Sequence, residues 1–203
     1  MKKIITVILI LILAFALVAC GNSNNDEPSE DNPPSKTKTL EMFNEYISGG
    51  SYTMTTKLEV EGLETIQVSA VKDGMIYSES EVMGIKSIMI IKDDVQYLLD
   101  PESKTCMKMS VITDDATEIF AEEAANYETA VNTGSETING KTYDYEEFEV
   151  EGIAARYYYD GDDLKYMTSS IEGEVYMVEV VSFEKGAAVE LFEIPEDYMV
   201  MEY

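Results

Sequence analysis

The sequence predicts an α+β protein built on a strongly curved antiparallel sheet, an open half-barrel of about eleven strands, with two helices on its concave face. Three observations carry this. From Ser51 to Val111, and again from Ser135 to Phe183, apolar side chains recur at every second position between short turn signals. Two stretches, 37–48 and 113–127, change to helical period. The connections are short, so neighbouring strands run antiparallel, and two helices with one apolar stripe each need a sheet face to bury it.

The first helix carries Leu40, Phe43 and Ile47 at i, i+3 and i+7, flanked by Met42 and Tyr46, and Gly49-Gly50 stops it. "SYTMTTKLEV" then alternates, as does "TIQVSAV", and "KDG" at 72–74 turns the chain into "MIYSESEVM". "IKSIMIIK", "VQYLLD" and "TCMKMSV" follow, separated by "KDD" at 92–94 and "PESK" at 101–104. The second helix is capped by Thr113 or Asp114, and Ala116, Ile119, Phe120, Ala124 and Tyr127 form its apolar stripe. Strands resume at "SETINGKTYDYEEFEV", with Asn139-Gly140 as a tight turn. Tyr143 and Tyr145 are out of phase with Phe148 and Val150, which predicts a bulge at Glu146-Glu147. "AARYYYD", "LKYMTSS" and "VYMVEVVSF" complete the sheet, and "LFEIPEDY" closes the domain. In "YYY", Tyr158 faces away from Tyr157 and Tyr159, by cross-strand packing or toward a pocket.

The chain begins differently. Lys2 and Lys3 precede Ile4–Val18, an uncharged apolar run broken by Thr6 and too short to span a membrane. Leu17-Val18-Ala19-Cys20 follows and resembles a bacterial lipobox, in which a small residue admits a peptidase and the cysteine thiol takes a diacylglycerol. An ordinary signal peptide or a short anchor helix is the alternative. This divides the chain into a lipoprotein signal peptide at 1–19, the lipidated Cys20 with a tether to 35, and one domain over 36–203. The tether, "GNSNNDEPSEDNPPS" after Cys20, holds no aliphatic or aromatic residue and cannot offset its ordering entropy. It reaches on the order of 20 Å. The predicted location is the extracytoplasmic face of the cell membrane, held by a lipid anchor whose chains contribute about 0.8 kcal/mol per buried CH2.

Charge and composition narrow the function. Without residues 1–19 the chain holds 12 basic and 40 acidic side chains, a formal charge of −28. Such a surface repels nucleic acid and anionic lipid. It keeps a surface protein dispersed, the alternative being a specific cation or basic partner. There is no histidine, which removes the usual general base near neutral pH, and no nucleophile motif or phosphate loop is present. The carboxylates form no constellation, so neither catalysis, nor a metal, nor a cofactor is expected. "DGDD" at 160–163 lacks calcium-loop spacing and is expected to be a hairpin turn. Cys106, left without a partner once Cys20 is acylated, is expected to be structural.

The segments "SYTMTTKLEV", "KDGMIYSES", "VQYLLDPESKTCMKM", "INGKTYDYEEFEV", "YYYDGDDLKYM" and "LFEIPEDY" resemble the Lol-type lipoprotein carriers and receptors and the lipid-carrying mycobacterial lipoproteins of the same superfamily. They are especially similar to small uncharacterised lipoproteins of low-GC Gram-positive bacteria. The resemblance covers 37–203 and rests on turns and a terminal Phe-x-Ile-Pro. It implies a cavity for acyl chains beneath the helices. It carries over no catalytic residue, and anchoring at Cys20 implies a resident role rather than a shuttle.

Methionine is abundant, 12 residues against no tryptophan, and flexible Met side chains suit adaptable apolar pockets as well as cores. The candidate lining is Leu40, Phe43, Met54, Met75, Met89, Met107, Met109, Ile119, Phe120 and Met177. The expected function is non-catalytic binding of an acyl chain or other hydrophobic ligand between sheet and helices. The alternative is an envelope interaction protein that recruits a protein partner through its acidic surface.

Overall fold

Tight turns set the register of the sheet. Asn139 and Gly140 have φ of 51° and 81°, the left-handed pair that a two-residue hairpin needs. Met83-Gly84 repeats the geometry at 55° and 78°. The computed structural model describes residues 36–47, 50–110, 124–150, 152–171 and 173–202. They hold twelve strands: β1 (Ser51–Val60), β2 (Leu63–Lys72), β3 (Met75–Val82), β4 (Ile85–Lys92), β5 (Val95–Asp100), β6 (Thr105–Ser110), β7 (Asn132–Ile138), β8 (Lys141–Val150), β9 (Ile153–Asp160), β10 (Asp163–Ile171), β11 (Glu174–Lys185) and β12 (Met199–Glu202).

All twelve belong to one open sheet in the order β12-β6-β5-β4-β3-β2-β1-β11-β10-β9-β8-β7. Two antiparallel meanders, β1 to β6 and β7 to β11, are joined where β1 pairs with β11. The twelfth strand lies beyond the predicted end at "LFEIPEDY" and pairs with β6 in parallel, against the expectation of antiparallel neighbours throughout. Its chain returns through a loop and a 3-10 turn (Val189–Phe192), so it arrives from the opposite end.

Among the described residues there is one short helix, α1 (Lys38–Met42), which continues as a π-helical turn over Phe43–Ile47. Thr37, Gly50 and the apolar stripe between them fall where the sequence pattern puts them. The second predicted helix, 113–127, lies for the most part outside the described residues; Ala124 and Ala125 are helical.

The core was expected on one face of the sheet, and it forms on both. On the face that carries α1, Phe43 and Ile47 pack with Tyr52, Met54, Val71, Phe148, Tyr159 and Leu164. On the far face Phe192, from the 3-10 turn, packs with Ala70, Tyr77, Ile90, Leu99 and Cys106. Lys72 and Lys92 tie this return loop down by donating to the Ala187 and Phe192 carbonyls at 3.0 and 2.7 Å. Val71 and Ala70 are consecutive residues of β2 buried on opposite sides. The same two-sidedness removes the bulge expected in β8. Its register with β7 and β9 is continuous. Phe148 belongs to the helix-face core and Tyr143 to a separate tyrosine cluster on the far face. The register shifts instead in β10, between Leu164 and Tyr166, and at the β1–β11 junction, where Val181 is the extra residue.

A helix this short is unstable alone and depends on tertiary anchors. Thr37 caps it, accepting from the Leu40 amide at 3.1 Å while its hydroxyl donates to the Tyr127 carbonyl. From β8, the Glu146 carboxylate accepts the Lys38 and Thr39 amides, both at 2.9 Å, and the Thr39 hydroxyl at 2.7 Å. The single Thr39 proton is thereby committed, so the Tyr159 hydroxyl, 2.8 Å away, is the donor to Thr39. Burial pushes the Tyr159 phenol well above its usual value, so it stays protonated in that role.

Glu146→Ala is expected to lower stability by about 2 kcal/mol, because three bonds to a carboxylate disappear and helix amides lose their partner. Glu146→Gln should recover part of the loss. Urea midpoints test this, and an unchanged midpoint for the alanine variant would refute the clasp.

β12 makes a pH-dependent contact. Hydrogen bonds from Lys104 and Lys108 hold Asp197 and Glu202 below their ordinary values of 3.8 and 4.5. A depressed carboxylate stabilises the fold above its unfolded value, and the contribution is lost as pH falls through the folded value. Both pairs are exposed, so the effect is small and salt-sensitive. Lowering the pH from 6 to 3 should release β12 before the rest of the sheet. NMR signals of Val200 and Met201 that keep strand shifts until global unfolding would contradict this.

Candidate functional site

The cross-strand registers place the apolar candidates residue by residue. On the helix face one row runs Met54, Ser69, Ser78, Met89, Leu98, Met107 and Met201 across β1, β2, β3, β4, β5, β6 and β12. The adjoining row brings Ile91, Gln96 and Met109 together. Met89, Leu98, Met107 and Met109 are half-buried, and no packed cluster among the described residues includes them. They form a contiguous thioether and aliphatic ladder on β4 to β6.

In the first row a polar pair stands between this ladder and the core beneath α1, whereas in the adjoining row Val71 and Ile76 of that core lead directly to Ile91. Ser69 and Ser78 stand between Met54 and Met89, and the Gln67 side-chain amide lies 3.4 Å from both hydroxyls. Beneath α1 the interior is filled. The residual space among Phe43, Ile47, Tyr52, Met54, Leu164 and Met167 is about 20 Å³, room for roughly one water and far below the few hundred Å³ of a ligand pocket. The hydrophobic space expected between sheet and helix is therefore closed at α1.

The ten candidates separate accordingly. Leu40, Phe43 and Met54 belong to the filled core. Met89, Met107 and Met109 lie together on the ladder. Met75 packs against the far-face cluster around Phe192. Met177 is 37% exposed on the far face, opposite Thr168. These two cannot share a lining with the others, because consecutive strand residues point to opposite faces and single-sequence pattern does not say which face is which. Ile119 and Phe120, like Cys20, lie outside the described residues.

A second concavity, about 510 Å³ and open, lies between α1 and the β10–β11 region. One wall is helical, from Lys38, Glu41, Met42, Glu45 and Tyr46, and the other includes Leu164, Lys165 and Val180 to Glu184. Tyr46 stacks on Phe183 with ring centroids 4.4 Å apart. Lys38 donates to the Gly161 carbonyl at 2.7 Å, and Lys185 pairs with Glu45 at 2.5 Å.

Comparison with known proteins bears on the fold. No protein-family model matches the chain, and no curated protein does. A conserved protein of Thermus thermophilus has the same fold. Its crystal structure superposes with a TM-score of 0.53 at 13% identity, over 81% of this chain and 96% of that one. Similar structures at lower scores include LprF from Mycobacterium bovis, with a TM-score of 0.42, 9% identity, 81% of this chain and 100% of that one. MucB gives 0.41 at 11% identity, over 78% of this chain and 62% of that one.

The tyrosine alternation follows the sequence pattern, and the groove walls escaped it. The tyrosine sequence at 157–159 serves both faces, with Tyr157 and Tyr159 toward α1 and Tyr158 toward the far face. There Arg156 lies 4.7 Å from the Tyr145 ring centre and pairs with Glu147 and Glu136. This cluster is closed by its own members, since the Tyr158 hydroxyl also donates to Glu136 at 3.0 Å. The groove walls were missed because Lys165 and Val181 are the extra residues of the two register shifts. Cys106 is fully buried and burial raises its thiol pKa, which matches a structural role.

Proposed function

We propose that this protein is a lipid-anchored extracytoplasmic binding protein without catalytic activity, which takes an acyl chain or another elongated apolar ligand on the helix-bearing face of its sheet. The ladder of Met89, Leu98, Met107 and Met109 is the observation that carries the reading. Its side chains are flexible and apolar, contiguous across three strands, and excluded from the packed clusters among the described residues. A ligand lying along it meets no charged group in either row. No described helix is long and apolar enough to cross a membrane, and attachment is assigned to acylated Cys20.

Native mass spectrometry with organic extraction, on residues 36–203 purified without detergent from the host envelope, is expected to show a discrete lipid mass. A fluorescent acyl probe should bind saturably, and Met107→Asp should weaken it about tenfold, the cost of placing one charge in an apolar contact. Met177→Asp, on the far face, should leave binding unchanged. An empty wild-type mass together with no saturable uptake would reject the reading.

Anchoring is tested separately. Cys20→Ser is expected to abolish incorporation of labelled palmitate and to release the protein from the membrane fraction. Continued labelling of the variant would remove Cys20 from this role.

A further inference from the structure

The sheet is interrupted at one place on its helix-bearing side. β10 and β11 pair from Ile171 opposite Glu174 to Tyr166 opposite Glu179, and there the pairing ends. Both strands continue. β11 runs on to Lys185 against β1, and β10 reaches back to Asp163 against β9. Beyond Glu179, the edge of β11 turned away from β1 therefore has no strand partner among the described residues. The two register shifts of the sheet, at Lys165 and Val181, lie at this divergence. Extra residues of this kind redirect strands and end their pairing. The result is an internal notch with a free backbone edge, opening into the 510 Å³ groove beside α1.

The chemistry of the notch selects its occupant. Val180, Val181 and Phe183 contribute apolar surface, and Val181 is 58% exposed. Five carboxylates line the groove against two ammonium groups, those of Lys38 and Lys165. Both lysines are engaged, Lys38 by the Gly161 carbonyl and Asp162, and Lys165 by Asp163 at 3.3 Å. Among the described residues Glu41 and Glu184 form no ion pair. A free strand edge recognises extended backbone, and uncompensated carboxylates on its rim recognise cations.

We propose that the notch between β10 and β11 is a docking site for an extended lysine- or arginine-rich segment of a partner protein. The segment pairs with the free edge of β11; Glu41 lies over the helix face and Glu184, opposite Thr53, on the far face, so consecutive cationic side chains of the segment meet one each. This stands apart from the apolar ladder, since β1, β2 and β3 lie between the two sites. It gives the acidic surface a specific place to recruit a partner.

The test uses residues 36–203, which include every described strand and α1, and an octapeptide of two Val-Lys-Lys-Val units labelled with a fluorophore, so that adjacent lysines face opposite sides. Saturable binding is expected, weakening as salt rises, with NMR shift changes at 180–184 and 38–46. The same peptide N-methylated along one backbone edge cannot add as a strand, and should bind at least about tenfold more weakly to the unaltered protein. Glu41→Lys with Glu184→Lys should give a similar loss, and Glu64→Lys with Glu81→Lys, far from the groove, should not. Equal affinity for the N-methylated peptide would overturn the proposal, since it would mean attraction to net negative charge alone. So would equal losses from both pairs of reversals, or displacement of the peptide by a saturating acyl probe. Failure of the acyl probe to bind would leave this result standing and reject the ladder alone.

Discussion

The pairing of β1 with β11 is the constraint on which the rest of the molecule depends. It is the contact that makes one sheet of two meanders, and it puts the first strand of the domain near the centre rather than at an edge. Seven residue pairs span it, from Tyr52 opposite Lys185 to Leu58 opposite Val178. A pairing between segments so distant in sequence carries a high loop-closure cost, which the packing on both meanders has to offset. The helix packs over this junction, with Phe43 and Ile47 against Tyr52, Met54 and Val180. The extra residue Val181 lies within it. Core, helix position and groove thus all follow from one antiparallel contact and its single irregularity.

Much of the sheet was legible because its turns are chemically explicit. Asn139-Gly140, Asp73-Gly74 and Met83-Gly84 adopt left-handed backbone, and the strands between them alternate. Stripe residues Leu40, Phe43 and Ile47 also declare their helix. What stayed hidden was the choice of face. Met54, Met75, Met89 and Met177 are indistinguishable as strand methionines, and a sheet with cores on both sides gives each parity of position an apolar environment. The phase change between Tyr145 and Phe148 has the same origin. Read with one buried face it demands a bulge; with two it needs none. The true irregularities were written as Leu164 and Met167 three apart, and as Val180 beside Val181. β12 was hidden by its brevity and by an expectation that neighbours run antiparallel.

The two faces are held by different means. On the far face, apolar burial of Phe192 and Cys106 dominates, and two lysines fix the return loop through its carbonyls. On the helix face a short helix cannot rely on its own hydrogen bonds, and its first turn is supplied by Glu146, Thr37 and Tyr159 instead. An anionic side chain is well matched to the partial positive charge of helix amides. This attachment comes from β8 and β9, whereas the other wall of the groove comes from β10 and β11. The helical segment is thus held at its first turn by β8 and β9 and at its far end by β11, through the Tyr46–Phe183 stack and the Lys185–Glu45 pair, and the groove opens beside these attachments although the interior beneath Phe43 is filled.

The helix-bearing face is thereby divided into regions of unlike chemistry. At β4 to β6 it offers methionine and leucine without charge. At β2 and β3 it offers Gln67, Ser69 and Ser78, bridged by one amide, beside the apolar pair Val71 and Ile76. At β10 and β11 it offers a backbone edge rimmed by carboxylates. A single acyl chain drawn from the ladder into the groove would lie against uncompensated carboxylates, and nothing there offsets the desolvation of those groups. A cationic peptide moved the other way would leave its charges over thioethers. The two proposed sites differ in charge and lie three strands apart, so an apolar ligand and a basic partner would not compete for one surface. Coupling between them would have to pass through β1 to β3, whose pairing is unbroken on that side of the junction.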